Sequence, residues 1–273
     1  MDHAELLRHA IVASIHAGTE ILKVYETDFS VEIKTDNTPV TKADKAASNY
    51  IINSLAATGI PVLSEEGEHF SYEKRKNWKK IWVVDPLDGT KEFIKRNGEF
   101  TVNIALIEDQ APVIGVIYSP VFKYLYYAVK GSGSYRISEH TILSELNKGD
   151  FDVEKLIGSA VKLPNHPYPE IYTIIASRSH LSKEVSARIA VAKLKFGKVN
   201  VINTGSSIKF CRIAEGLAHE YPRYGNTMEW DTAAGQCIVE QAGGKVIDLA
   251  TNNPIIYNRE NLRNNDFIVF SEN

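Results

Sequence analysis

The sequence is poor in cysteine: it has only Cys211 and Cys237, which form neither a CxxC pair nor part of a Cys/His cluster. This spacing excludes a disulfide framework and a structural zinc site as the basis of the fold. Apolar runs approaching the ~20 residues of a membrane-spanning helix are absent. The N-terminus also lacks the basic and then apolar pattern of a signal peptide. We expect a cytoplasmic protein without a transmembrane segment, and leave open a peripheral attachment at the inner membrane.

An excess of charge of either sign is also missing. The 31 Lys and Arg residues nearly balance the 34 Asp and Glu residues, for a formal net charge of -3. The chain therefore has no overall electrostatic reason to bind nucleic acid or an anionic membrane. Its 44% hydrophobic residues are enough for a large core, and at about 150 residues per domain its length predicts one large unit or two fused lobes.

The N-terminal region has the periodicity of two helices. Apolar and small residues recur at helical spacing over residues 4–25. A polar break at residues 34–39 leads to Thr41, which can cap a second helix running to about residue 57. Asp44 falls in the first turn of that helix, so its side chain should project from the helix N-terminus.

The period then changes to that of strands. Short apolar runs bounded by turn residues predict strands at residues 61–63, 81–84, 100–107, 113–118 and 123–129. The last three have short connections, which predict an antiparallel meander. Residues 131–134 (GSGS) are interpreted as a hairpin turn and not as a phosphate-binding loop, because no helix signal follows them.

Strands and helices alternate in the C-terminal half, after a weakly patterned stretch over residues 138–170. This order predicts a mixed α/β fold with two lobes, residues 1–135 and 136–273. The expected strands are at residues 172–176, 199–203, 245–248 and 267–270, and the expected helices at 182–194, 206–215 and 232–242.

The segment DPLDGT at residues 85–90 is the most informative. A buried strand is expected to end at Asp85, and Pro86 with Gly89 should make a tight turn that directs Asp85 and Asp88 to one point. A turn whose carboxylates only bind backbone N–H groups remains the simpler reading of this segment alone.

Two further acidic segments favour a shared site for these acids over a simple turn. SEEG at residues 64–67 follows another short strand, and EWDTAA at residues 229–234 begins a helix, although Asp231 could serve there as a simple N-cap. Two carboxylates ~4 Å apart repel by ~4 kcal/mol at an effective dielectric constant of ~20, so convergence of these acids requires a cation. Ligands that are all oxygen favour a hard cation, above all Mg²⁺.

Gly89 and Thr90 suggest what such a cation would act on. A Gly-Thr step at the start of a helix offers backbone N–H groups to a phosphate. A phosphate bridging two divalent ions, with an activated water behind the phosphorus, is arranged for phosphoester hydrolysis. In this hypothesis Thr90 orients the water and Asp44 accepts the hydroxyl proton.

Together these segments resemble a known superfamily. PVTKAD at residues 39–44, SEE at 64–66, DPLDGT at 85–90 and WDTAA at 230–234 are similar to the lithium-sensitive, magnesium-dependent phosphatases that include inositol monophosphatase and fructose-1,6-bisphosphatase. Within that group the chain most resembles the CysQ-type 3'(2'),5'-bisphosphate nucleotidases, through the motifs at residues 88–94, 97–104, 177–180, 205–211 and 221–223.

The resemblance implies a five-layered αβαβα sandwich with the site between the lobes, and hydrolysis of adenosine 3',5'-bisphosphate to AMP and phosphate. It implies two or three Mg²⁺ ions and a small-molecule nucleotide bisphosphate as partner, in a monomer or homodimer. The implied metal ligands are Glu65, Asp85, the Leu87 carbonyl, Asp88 and Asp231. The implied catalytic pair is Asp44 with Thr90, and the implied substrate contacts are Gly89, Thr90, His180, Ser206, Lys209 and Arg223.

Alternatives remain open at this level. The same chemistry could act on inositol phosphates or a sugar bisphosphate, although Lys91 and Glu92 favour the nucleotidase branch by resemblance. A non-catalytic phosphate-binding protein of the same fold is a second alternative, and the presence of both Asp44 and Thr90 argues against it. His180, Ser206 and Lys209 could also have purely structural roles, whereas Arg223 can bind a phosphate through two N–H groups.

Overall fold

The structure is a computed structural model that describes residues 1–33, 39–68, 70–146, 152–177 and 182–271. The described helices are α1 (His3–Tyr25), α2 (Lys42–Ala56), α3 (Tyr72–Arg75), α4 (Thr90–Ile94), α5 (Glu139–Leu146), α6 (Val153–Gly158), α7 (Lys183–Phe196), α8 (Ile208–Ala214) and α9 (Glu229–Gln241). Within these ranges, none of the helices is long and apolar enough to cross a bilayer.

The strands form two large sheets and one small hairpin. They are β1 (Val31–Ile33), β2 (Pro39–Thr41), β3 (Val62–Ser64), β4 (Lys80–Asp88), β5 (Thr101–Glu108), β6 (Ala111–Ser119), β7 (Tyr124–Val129), β8 (Gly133–Ile137), β9 (Val161–Lys162), β10 (Tyr172–Ser177), β11 (Val199–Thr204), β12 (Glu220–Arg223), β13 (Lys245–Asp248), β14 (Asn253–Pro254) and β15 (Phe267–Phe270). The first sheet has seven strands in the order β3 to β9, and the second has six in the order β11-β10-β12-β15-β13-β14.

Helices and sheets alternate in layers. One core cluster joins α1 and α2 to one face of the first sheet, and a second core cluster joins the opposite face to α8, α9 and the second sheet. Helix α7 packs on β10, β11 and β12 of the second sheet. The order of layers is therefore αβαβα, which confirms the expected sandwich.

Small residues allow the helical layers to approach the first sheet closely. A Cβ atom at Gly18 of α1 would lie 2.4 Å from the ring of Tyr118 on β6. On the other face, a Cβ atom at Gly115 of β6 would lie 2.5 Å from the carbonyl oxygen of Ala234 on α9. Because interiors are close-packed, a side chain at either glycine would push a helix away from the sheet.

Most expected elements are confirmed, including α1, α2, the β5-β6-β7 meander and the hairpin turn between β7 and β8. The first sheet, however, continues past residue 135 through β8 and β9, which the weak patterning of that region concealed. The expectation that β4 ends at Asp85 is wrong, since the strand runs to Asp88. The division into two lobes stays a prediction.

Candidate active site

A β-bulge brings Asp85 and Asp88 to the same side of β4. Asp85 lies opposite Asn103 and Asp88 lies opposite Thr101, so that two residues of β4 face one residue of β5 between these pairs. Side chains alternate between the faces of a strand, and residues three apart would normally point to opposite faces. The extra residue restores a common side. The expected convergence is right, but it arises inside a strand and not in a turn after it.

Asp231 reaches this point from the first turn of α9. The helix begins at Glu229, and Asp231 Oδ2 accepts a hydrogen bond of 2.7 Å from the backbone N–H of Met228. Asp231 is therefore not the N-cap residue, because the helix starts earlier than the periodicity over residues 232–242 indicated. One carboxylate oxygen each of Asp85, Asp88 and Asp231 lies within 4.8 Å of the others.

Burial and repulsion between neighbouring carboxylates raise the pKa values of two acids in the cluster. Burial raises the pKa of Asp85 well above its usual value, and the charges of Glu65, Asp88 and Asp231 raise it further. Burial likewise raises the pKa of Asp231 to about 7, with further increases from Asp88 and Glu65. Glu65 follows β3, and its backbone N–H donates to the carbonyl of Val84 at 3.1 Å, which fixes it beside β4.

This donor set fits the implied metal. The three clustered side chains offer only carboxylate oxygens and repel one another, and Asp85 among them is fully buried. A hard divalent cation removes that repulsion and prefers oxygen ligands. The Leu87 carbonyl, the expected backbone ligand, lies between the two acids of the bulge and 3.4 Å from Thr90 Oγ1.

Asp44 and Thr90 form the expected pair. Asp44 Oδ2 accepts hydrogen bonds of 2.7 Å from both the backbone N–H and the hydroxyl of Thr41, the N-cap of α2. Its other oxygen, Oδ1, accepts from Thr90 Oγ1 at 3.2 Å. Burial raises the pKa of Asp44 in spite of the hydrogen bonds from Thr41, and the charge of Glu66 contributes to the increase. Gly89, with φ 94°, gives the chain the left-handed step from β4 into α4.

Ser206 lines the same cleft as Asp88 and Asp231. Its hydroxyl donates to Asp88 Oδ2 at 2.6 Å, so it contacts one of the acids directly. The backbone N–H of Ser207 reaches the same oxygen at 2.5 Å. Ser206 has a positive φ of 54°, an uncommon conformation for a residue other than glycine, and this turn leads into α8. The start of α8 is thereby tied to the acidic cluster.

Two cationic side chains line the same cleft as the acids. The residues that line it include Asp88 and Asp231 as well as Lys209 and Arg223. Burial lowers the pKa of Lys209 to about 8, an effect that Asp88 opposes and Arg223 reinforces. Lys209 Nζ donates to the carbonyl of Ser206 at 2.5 Å.

Arg223 uses only part of its guanidinium for hydrogen bonds to the described residues. Its Nη2 donates to the carbonyl of Asn226 at 3.1 Å. Its Nε is buried and has no hydrogen-bond partner among the residues that the structure describes. A buried guanidinium N–H without a partner is costly, and an anion in the cleft would satisfy it. Gly89 also lines this cleft, as expected, whereas His180 lies outside the described residues.

Sequence reasoning missed the polar residues of β5 and the start of α8. Thr101 and Ser207 contact Asp88, Asn103 contacts both of them, and all three are buried. A signal was present: Thr101 and Asn103 are two apart in an otherwise apolar strand, so they share one face. Two polar residues on one face of a buried strand indicate a polar neighbour there, and that neighbour is Asp88.

Comparison with known proteins agrees with this geometry. The family model described as the inositol monophosphatase family matches residues 2–269. The 3'(2'),5'-bisphosphate nucleotidase CysQ of Salmonella typhimurium is 44% identical over 237 residues, which cover 85% of this chain and 86% of the relative. The protein of that name from Haemophilus influenzae is 33% identical and covers 98% of this chain and 93% of its own length.

A solved structure of a protein from the same family has a similar fold. The crystal structure of CysQ from Bacteroides thetaiotaomicron, described as a bacterial member of the inositol monophosphatase family, has a TM-score of 0.89 and 46% identity to this chain. The match covers 98% of both chains. The resemblance stated from the motifs is confirmed.

Proposed function

Since the chain belongs to the inositol monophosphatase family, we propose that it hydrolyses the phosphate ester of a 3'(2'),5'-bisphosphate nucleotide, with adenosine 3',5'-bisphosphate as substrate and AMP and phosphate as products. The observation that carries this proposal is a single cleft lined both by acids of the converging carboxylate cluster, Asp88 and Asp231, and by two cationic side chains, Lys209 and Arg223. The acids suit the phosphate that is cleaved, and the cations suit the phosphate that remains. The names of the relatives support this choice of substrate.

The acidic cluster would hold two or three Mg²⁺ ions. Their ligands would be Glu65, Asp85, the Leu87 carbonyl, Asp88 and Asp231. When bound, Mg²⁺ neutralises charge on the phosphoryl oxygens and makes a nearby water a stronger acid. The proposal needs both properties, because phosphate esters are anionic and resist attack by hydroxide at neutral pH.

Thr90 and Asp44 would orient and deprotonate the attacking water. Thr90 Oγ1 donates a hydrogen bond to Asp44 Oδ1 at 3.2 Å, so the lone pairs of the hydroxyl oxygen can accept a hydrogen bond from water. That bond turns a lone pair of the water toward the phosphorus. As the water attacks, its proton passes to Thr90 and the Thr90 proton passes to Asp44. The raised pKa of the buried Asp44 makes it a stronger base for this step.

Lys209 and Arg223 would bind the second phosphate. The partnerless Nε of Arg223 and the buried ammonium of Lys209 are suited to a doubly charged oxyanion. A contact between Ser206 and the nucleotide remains part of the proposal, although its hydroxyl is directed to Asp88. The contact expected for His180, the monomeric or homodimeric state and the cytoplasmic location also stay predictions.

The test is a phosphate-release panel with adenosine 3',5'-bisphosphate, inositol 1-phosphate, inositol 1,4-bisphosphate and fructose 1,6-bisphosphate, each with and without Mg²⁺. We expect adenosine 3',5'-bisphosphate to have the highest kcat/KM and all turnover to require Mg²⁺. A preference for an inositol phosphate would replace the nucleotide assignment. Absence of turnover on every substrate would favour the non-catalytic alternative.

A further inference from the structure

A cluster of three hydroxyl groups next to Asp88 is linked by short contacts. Thr101 Oγ1 on β5 lies 2.6 Å from Ser206 Oγ and 2.7 Å from Ser207 Oγ. Ser207 Oγ lies 2.8 Å from the side-chain oxygen of Asn103, and Ser206 Oγ lies 2.6 Å from Asp88 Oδ2. These contacts form a continuous chain from Asn103 to Asp88 through three hydroxyl groups.

The number of protons in this chain is informative. Thr101 Oγ1 also lies 3.0 Å from the side-chain oxygen of Asn103. These five oxygen–oxygen contacts each need a proton between the two atoms, but the three hydroxyl groups of Thr101, Ser206 and Ser207 supply only three. An ionised Asp88, the form that binds a cation, supplies none. The two remaining protons must therefore come from Asn103 at the far end of the chain.

Asn103 has two protons to give. Its amide nitrogen, Nδ2, is buried and has no hydrogen-bond partner among the residues that the structure describes. A half-turn of the amide about χ2 exchanges the oxygen and the nitrogen with little change in shape. The nitrogen then donates one proton to Ser207 Oγ and the other to Thr101 Oγ1. One rotation therefore supplies both missing protons and gives the buried amide nitrogen its partners.

With Asn103 turned in this way, the direction of every hydrogen bond is fixed. Asn103 donates to Ser207 and Thr101, Ser207 to Thr101, Thr101 to Ser206, and Ser206 to Asp88. Each hydroxyl donates one bond, Thr101 accepts two and each serine hydroxyl accepts one, and chains of this kind strengthen their members. The chain ends on Asp88 Oδ2, which also accepts the backbone N–H of Ser207 at 2.5 Å.

We propose that Thr101 and Asn103 are positioning residues of the metal site, which orient Asp88 for cation binding through this directed chain. The inference rests on the proposed function, because it assumes that Asp88 binds a divalent cation. Neither residue is among those that line the substrate cleft. Partners that orient metal ligands typically account for about 10- to 100-fold in metal affinity.

The experiment measures Mn²⁺ binding to the metal-free protein, without substrate, from the electron paramagnetic resonance signal of unbound Mn²⁺. Thr101→Val keeps the branched shape and removes the hydroxyl, whereas Thr101→Ser keeps the hydroxyl. Thr173→Val is a matched control, because it removes another buried threonine hydroxyl, one that donates to Ile171 in the second sheet. Ser207→Ala interrupts the chain at a second point and retains the backbone bond to Asp88.

We expect Thr101→Val and Ser207→Ala to weaken Mn²⁺ binding by about tenfold or more. Thr101→Ser and Thr173→Val should stay within about twofold of the wild type, and KM at saturating metal should change little in all variants. Wild-type affinity in both Thr101→Val and Ser207→Ala, or an equal loss in Thr101→Ser, would overturn the proposal.

Two outcomes separate this inference from the proposed function. If the wild-type protein binds no Mn²⁺, the proposed function fails as well. If it binds Mn²⁺ and the variants bind it equally well, only the positioning role fails. Circular dichroism reports folding. Should Thr101→Val prove unfolded, Ser207→Ala decides alone, since weaker binding supports the chain and unchanged binding contradicts it.

Discussion

The acidic and cationic residues of the site are held in different ways. Asp85 and Asp88 are placed by a bulge in one strand, and Asp231 by the first turn of a helix, so local backbone geometry fixes short side chains. Lys209 and Arg223 instead reach the cleft with long side chains from α8 and β12. The acids are held by the backbone beside them, whereas the cations extend from theirs on long side chains that are each held by one hydrogen bond to a carbonyl oxygen.

This contrast suggests a division of roles. Groups that stabilise a transition state must be held in place before the reaction, whereas groups that bind a remote part of the substrate need only supply affinity. Changes to the acidic residues should therefore lower kcat, and changes to the cationic residues should raise KM. Substitutions in the two groups of residues test that division.

Asp88→Asn should almost abolish phosphate release while the protein remains folded. The substitution removes a negative charge from the cluster and keeps its size. Metal ions stabilise such transition states by several kcal/mol, which corresponds to a loss of about 10³-fold or more. Phosphate release under saturating Mg²⁺ is the measurement. Turnover near that of the wild type would refute the assignment of Asp88 as a metal ligand.

Thr90→Val should lower kcat by about 10² to 10⁴-fold, the usual contribution of proton transfer, and leave KM nearly unchanged. The variant keeps the branched shape but removes the proton path from water to Asp44. Thr90→Ser is the matched control and should retain most of the activity. A rise in KM without a fall in kcat would place Thr90 in substrate binding only.

Arg223→Ala should act on KM. We expect KM for adenosine 3',5'-bisphosphate to rise by about 10- to 100-fold, the equivalent of one or two charged hydrogen bonds. KM for adenosine 3'-monophosphate, which has no second phosphate, should change little. Arg263→Ala is the control, because Arg263 binds the side chain of Asn226 and is not among the cleft-lining residues. Equal effects on both substrates would remove the second-phosphate role.

The pKa of Lys209 gives the smallest expected effect. Burial lowers that pKa to about 8, so the ammonium loses its proton as the pH rises from 7 to 9. The ratio of KM for the bisphosphate to KM for the 3'-monophosphate should rise over this interval, by up to about tenfold for one lost charge interaction. Lys209→Arg keeps its charge and should flatten the profile. A profile that is the same in both proteins would contradict the role of Lys209.

The two groups also differ in how far the sequence predicted them. DPLDGT and WDTAA predict the acids because each acid lies within a short segment whose backbone directs it, although DPLDGT predicts a turn where the structure has a bulge. The contacts of Ser206 could not be predicted, since they depend on how α8 meets β4 across the layers. The extension of the first sheet through β8 and β9 was missed for a related reason: short strands have too few residues to show a period.

Carboxylates converge here to bind divalent cations, and this can be measured by a calorimetric titration of the metal-free protein with Mg²⁺. We expect saturable binding to the wild type and a much weaker interaction with Asp85→Asn, whose carboxylate belongs to the cluster within 4.8 Å. Equal binding by both proteins, or no binding by the wild type at millimolar Mg²⁺, would contradict it.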